Sequence, residues 1–179
     1  LSLHDALPIL MYDGAMSKVQ AMQNAAYAQI IGVQAGFEVK LPVGFGLSSD
    51  FTYQKGTEEL DDGSKSPSRH APPWNGVSRL SYTYKKMSLQ LYSVYSGGKK
   101  FQDLPEEEKG KPEIYAVDGD GNPYSPGWYT LNFKGMYDLT DNFTISAGLE
   151  NMTDQRYRPY SSGIVAPGIN FVIALKAKF

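Results

Sequence analysis

The side chains best suited to chemistry cluster in a few polar stretches. "QRYRPYSSG" (155–163) interleaves Arg156 and Arg158 with Tyr157 and Tyr160, and "SPGWY" (125–129) adds Trp128. Guanidinium groups beside aromatic faces suit an anionic or planar ligand, because the cation pairs with negative charge and stacks on rings. The same residues have a structural reading, with Tyr and Trp at an interface and Arg158 paired within its own loop. His70, beside Arg69 in "SRHAPPWNG", is a further loop candidate, although a solvated loop histidine is its simplest role. In "DGDGN", Asp118, Asp120 and Asn122 occupy the first side-chain positions of a calcium loop. Pro123 stands where such a loop needs glycine and Tyr129 where it needs glutamate, so the stretch reads as a turn. "PEEEKGK" (105–111) reads as a solvated loop tip. No spacing implies a nucleophile–base pair, so no catalytic residue is assigned and the chain is not read as an enzyme.

Composition narrows the classes further. With no cysteine and two histidines among 179 residues, disulfides and thiolate metal sites are excluded, and no resident metal or cofactor is expected. A net charge of −2 gives no electrostatic bias toward nucleic acid. Thirteen tyrosines and eighteen glycines favour strands and turns. No apolar run approaches the ~20 residues of a spanning helix, which says nothing about strands that cross a membrane with alternating faces.

The elements that must position these side chains are strands. "INFVIALKAKF" puts Ile169, Phe171, Ile173, Leu175, Ala177 and Phe179 on one face, with Asn170, Lys176 and Lys178 on the other. The same period of two recurs in "IIGVQAGFEVKL", "FGLSSDFTY", "VSRLSYTYK", "MSLQLYSVY", "WYTLNFKGMYDL" and "FTISAGLEN". These segments predict an all-β antiparallel meander of about seven strands. The connections alternate in length. "PVG", "KK" and "TDN" are tight, whereas 55–73, 97–127 and 152–168 are long. Loops beyond ~15 residues are uncommon in compact soluble domains. Short turns at one end and long loops at the other fit an open fragment of a transmembrane β-barrel. Aromatics near strand ends, such as Tyr53, Tyr84, Tyr129 and Phe143, fit interface girdles. The alternative is a soluble β-sandwich whose odd positions face a core.

The first nine residues, "LSLHDALPI", fit nothing downstream and read as the translated read-through of a sequencing adapter. On that reading residues 1–9 are non-native, 10–26 form a loop or partial strand, and 27–179 form the barrel part. The native sequence is then expected to begin near Leu10, inside a longer protein.

The segment from Ile145 to Phe179 resembles the C-terminal end of a TonB-dependent outer-membrane receptor. Such proteins close with a G-x-x-N-hydrophobic-x-D-x-x-Y-R strand end, a loop with a P-G-R-N-F-like stretch, and a final strand ending in Phe. Gly148, Asn151, Asp154, Tyr157, Arg158, Pro167, Gly168, Asn170 and Phe171 match, while Ile169 stands where Arg is common. "IIGVQAGFEVKL" is similar to the family's Y-G-x-E strand, with Gln34 in place of Glu. The resemblance implies the last third of a bacterial outer-membrane barrel of about 22 strands, filled in the parent by an N-terminal plug that is absent here. It implies import of a scarce nutrient such as a ferric siderophore or haem, with Arg156, Tyr157, Arg158, Tyr160, Trp128 and His70 as candidates for the ligand-facing loops. The partners implied are outer-membrane lipid, the TonB complex acting through the plug, and the barrel-assembly machinery. That machinery would read Phe171, Leu175 and Phe179. An uncoupled porin or binding barrel is the alternative within the membrane.

Overall fold

A computed structural model describes residues 9–12, 14–18, 27–60, 62–69, 71–111 and 113–179. Two of the readings above lie largely or wholly outside these: residues 1–8 of the expected artefact, and His70. Ile9 is the first residue of a small hairpin of β1 (Ile9–Tyr12) and β2 (Ala15–Lys18), in the region read as loop or partial strand.

Seven long strands form the sheet. They are β3 (Ala28–Lys40), β4 (Phe45–Glu59), β6 (Asn75–Tyr84), β7 (Met87–Ser96), β10 (Trp128–Asp138), β11 (Phe143–Glu150) and β12 (Asn170–Ala177). Their order is β12-β11-β10-β7-β6-β4-β3, every neighbouring pair antiparallel, so chain neighbours are sheet neighbours. The short β5 (Lys65–Pro67) folds back on the end of β4. The path stays open, with β3 and β12 at its edges.

The period-two pattern works because the register keeps it in phase across every strand. Val39, Leu47, Leu80, Leu91, Phe133, Leu149 and Phe171 are cross-strand partners in one unbroken row. Side chains opposite each other share a face, so one slip in any pair would break that row. Glu38, Lys134, Glu150 and Lys176 lie on the other face, paired with Ser48, Gly148, Asn170 and Thr144. Among the described residues, nothing packs over the apolar face. Phe171, Ile173 and Leu175 are each about two-thirds exposed, and Tyr53, Tyr84, Tyr129 and Phe143 are exposed as well. The β-sandwich alternative is thereby excluded, because its apolar set would face a second sheet.

Two expectations need correction. The first long strand starts at Ala28, and its partner runs to Glu59, because Ala28–Ile31 continue the ladder with Lys55–Glu58. The loop expected from residue 55 therefore starts later. The 97–127 stretch, read as a long connection, has short elements of its own. It carries α1 (Glu106–Lys109) and a hairpin of β8 (Ala116–Val117) and β9 (Pro123–Tyr124). "PEEEKGK" is not a solvated tip, since Leu104, Pro105 and Glu108 are fully buried.

Candidate functional site

The site is built where β11 hands over to β12. Asn151, just past β11, is buried in the left-handed region (φ 49°), a conformation that asparagine tolerates. Its Nδ2 donates to the carbonyls of Gln155 (2.9 Å) and Pro167 (3.0 Å), and its Oδ1 accepts from the Gln155 N–H. Its own N–H donates to Asn132 Oδ1 on the polar face at 2.8 Å. Asp154 Oδ1 accepts from the Ile169 N–H at 3.0 Å. A Cβ on Gly168 would sit 2.4 Å from that oxygen, so a side chain there would have to displace the Asp154 carboxylate from its bond to Ile169. The Asn151, Asp154 and Gly168 positions of the C-terminal motif are thus a loop clamp. It folds residues 152–169 over the polar face, covering Thr130 and Asn132.

The clamped loop meets the 97–127 loop in a cleft of about 310 Å³. Trp128, Arg156, Tyr157 and Arg158 all line it, together with Tyr115 and Ser161. Trp128 and Tyr157 stack, with ring centroids 4.0 Å apart and planes 28° from parallel. Arg158 Nη1 donates to the Glu113 carbonyl at 2.8 Å, so it bridges two loops rather than pairing within its own. Arg156 is exposed in the cleft wall and makes no hydrogen bond or ion pair among the described residues. A free guanidinium beside stacked rings is the arrangement that would receive an anionic or planar group. Tyr157 also lines a pocket of about 200 Å³ on the polar face, with Tyr92, Asn132 and Glu150.

Tyr160 lies outside the cleft, in a cluster that the sequence did not suggest. Its centre is Glu108 on α1. Glu108 Oε1 accepts from Ser161 Oγ at 2.5 Å and pairs with Arg69 Nε at 3.0 Å. Oε2 accepts from the Tyr115 hydroxyl and, at 3.5 Å, from the Tyr160 hydroxyl. Lys99 Nζ donates to the Ala71 carbonyl (2.5 Å) and to the Tyr160 hydroxyl (3.3 Å) and sits over the Tyr160 ring. Burial pushes the Glu108 carboxyl up, but the hydroxyls of Ser161 and Tyr115, then Arg69 and Lys111, outweigh it and hold the group below its ordinary value. Burial, followed by the nearby Glu108 carboxylate, pushes the Tyr115 and Tyr160 hydroxyls up, so both stay protonated donors. Burial also lowers the Lys99 ammonium, with Glu108 and Asp103 opposing. Loops from three parts of the chain converge on one carboxylate. The only local hint was the apolar Leu104-Pro105 ahead of a charge run.

At the turn between β8 and β9, Asp118 Oδ1 accepts from the N–H groups of Asp120 (3.0 Å) and Asn122 (2.8 Å), as expected of a turn. At the other end of the sheet, Lys178 N–H donates to the Asn142 carbonyl and Asn142 Nδ2 to the Lys178 carbonyl, both at 2.9 Å. This holds the chain end against the β10–β11 turn. Phe179 is exposed beyond it, at the end away from the long loops.

Residues 9–152 match the family model described as TonB dependent receptor-like, beta-barrel. Over 150 residues the chain is 28% identical to the hemoglobin and hemoglobin-haptoglobin-binding protein A of Haemophilus influenzae, which is 78% of this chain and 13% of that protein. Among solved structures, it resembles the copper transporter OprC at 17% identity and a TM-score of 0.67, over 85% of this chain and 23% of that one. It also resembles the ferric citrate transporter FecA in its unliganded form, at 14% identity and a TM-score of 0.66, over 85% and 24% of the two chains. The siderophore receptor PiuA of Acinetobacter baumannii gives 16% identity and a TM-score of 0.55, over 85% and 22%. These structural likenesses concern the fold. The chain spans less than a quarter of the length of each of these proteins.

Proposed function

Because this chain belongs to the family of TonB-dependent receptor β-barrels of the bacterial outer membrane, we propose that it is the C-terminal barrel part of an energy-coupled importer for an iron complex, a ferric siderophore or haem. The observation that carries the ligand class is the cleft at the long-loop end, where Arg156, with no hydrogen bond or ion pair among the described residues, lies beside the Trp128–Tyr157 stack. A ferric siderophore offers negative charge and haem offers a planar ring with carboxylates, and both suit that wall. Coupling to TonB would come through a plug elsewhere in the parent. The polar face lies toward the lumen on this reading and the apolar face toward lipid.

The test is uptake of haem and of a ferric tris-catecholate complex by cells carrying the full-length receptor, with and without TonB. Uptake of one of them is expected to require TonB, and Arg156→Ala is expected to weaken its binding by about tenfold at unchanged receptor abundance. Uptake that persists without TonB would support the uncoupled porin instead.

A further inference from the structure

The cleft has two arms. One comes from the loop between β7 and β10 and carries Tyr115. The other comes from the loop between β11 and β12 and carries Arg156, Arg158 and Ser161. The Trp128–Tyr157 stack joins the arms at their root, since Trp128 is the first residue of β10. Away from the root, Tyr115 and Ser161 line the cleft with their hydroxyls turned to the same buried carboxylate.

We infer that Glu108 is the positioning residue of this cleft, fixing the separation of its arms and tying both to a third loop through Arg69. The inference rests on the cleft being the ligand site proposed above. Glu108 itself does not line the cleft, so it acts through the residues it holds. Three features make it suited to the task. It is fully buried, so water does not compete for its oxygens. Its four partners are all donors, matching an acceptor-only group. Those partners come from three loops, so a change in any one loop reaches the others through one side chain. The Lys99–Tyr160 contact and the Lys99–Ala71 bond tie the same loops together a second time. Without the carboxylate, Tyr115 and Ser161 would have no shared acceptor, and the arms would keep only the Trp128–Tyr157 stack, the Arg158–Glu113 bond and the Lys99–Tyr160 contact between them.

The absence of cysteine from this chain allows clean labelling. Spin labels placed by Val117→Cys and Ile164→Cys, both exposed and on opposite arms, report arm separation in the full-length receptor in outer-membrane vesicles, with any other cysteine replaced. Binding of haem and of a ferric tris-catecholate complex is measured on the same vesicles. Glu108→Ala is expected to broaden the distance distribution and to weaken binding of the accepted probe by about tenfold or more. Ser161→Ala, which removes a single cross-arm bond and leaves Glu108 with Arg69, should give the same changes in smaller degree even if Glu108→Ala fails to assemble. An unchanged distribution in the assembled variants overturns the inference. So does a changed distribution with unaltered affinity while Arg156→Ala weakens binding. If neither Glu108→Ala nor Arg156→Ala affects binding, or neither probe binds, the cleft is not the ligand site and the reading beneath the inference fails.

Discussion

Asn151 Nδ2 donates to the carbonyl of Pro167 at 3.0 Å, tying the end of one strand to the approach of the next across sixteen positions of chain. That bond turns a long loop into a fixed roof over Asn132 and Thr130. It also gives the Asn position of the C-terminal motif a physical cause, because asparagine alone supplies two donors, an acceptor and tolerance of a left-handed backbone.

Asn151→Ala should therefore loosen the 152–169 loop more than Asn151→Gly. Both lose the side-chain bonds, worth about 1 kcal/mol each net. Alanine also meets the left-handed backbone, at a further ~1–2 kcal/mol. The check is the temperature at which a protease first cuts this loop in the assembled receptor, expected to fall in the order wild type, Gly, Ala.

The Glu108 cluster should hold from neutral pH well into mild acid. A carboxyl whose folded value lies below its unfolded one stabilises the folded arrangement above the unfolded value. That contribution fades as pH falls through the folded value. Glu108 is shifted in this direction, by the hydroxyls of Ser161 and Tyr115 and then by Arg69 and Lys111, against the opposing effect of burial. A spin label at Ile164→Cys should keep its mobility from about pH 8 to about pH 5, with mobility rising only below the ordinary glutamate value of about 4.3. Loosening near pH 6 would show that the carboxyl is not held as described.

The apolar row makes an asymmetric prediction for neighbours in sequence. Leu91 lies in that row, while Gln90 faces the other side opposite Lys134 and Ser81. Leu91→Arg should destabilise the assembled barrel by about 2–4 kcal/mol, the cost of an arginine deep on a lipid-facing surface, whereas Gln90→Arg should cost far less. Urea titration of the barrel in bilayers would compare them, and equal costs would mean that the faces are misassigned.

Phe179→Asp should reduce the amount of receptor in the outer membrane without changing ligand affinity per receptor. Phe171, Leu175 and Phe179 share one alternation, and Phe179 lies at the end remote from the cleft. A charge near the interface costs a folded barrel only ~0–1 kcal/mol, so any large loss of yield would act through assembly. Normal abundance with impaired binding would refute this role for the chain end.

The sequence by itself determined the sheet. Alternation is a local property of extended backbone, so Phe171, Ile173 and Leu175 declared their shared face without knowledge of any partner. Tight turns such as "PVG" and "KK" then left sequential strands little choice but to pair. It also placed Arg156, Tyr157 and Arg158 in a loop at one end and Trp128 at the strand end beside it, and the structure brings all four into one cleft. What it did not determine was which charges are buried. Glu106, Glu107 and Glu108 are indistinguishable in "PEEEKGK", yet only Glu108 is buried. That choice depends on Arg69, Tyr115, Tyr160 and Ser161 arriving from three loops at one point. A donor set gathered across ninety-odd residues leaves no local pattern, because each member is an ordinary polar loop residue until the strands beneath fix where its loop ends.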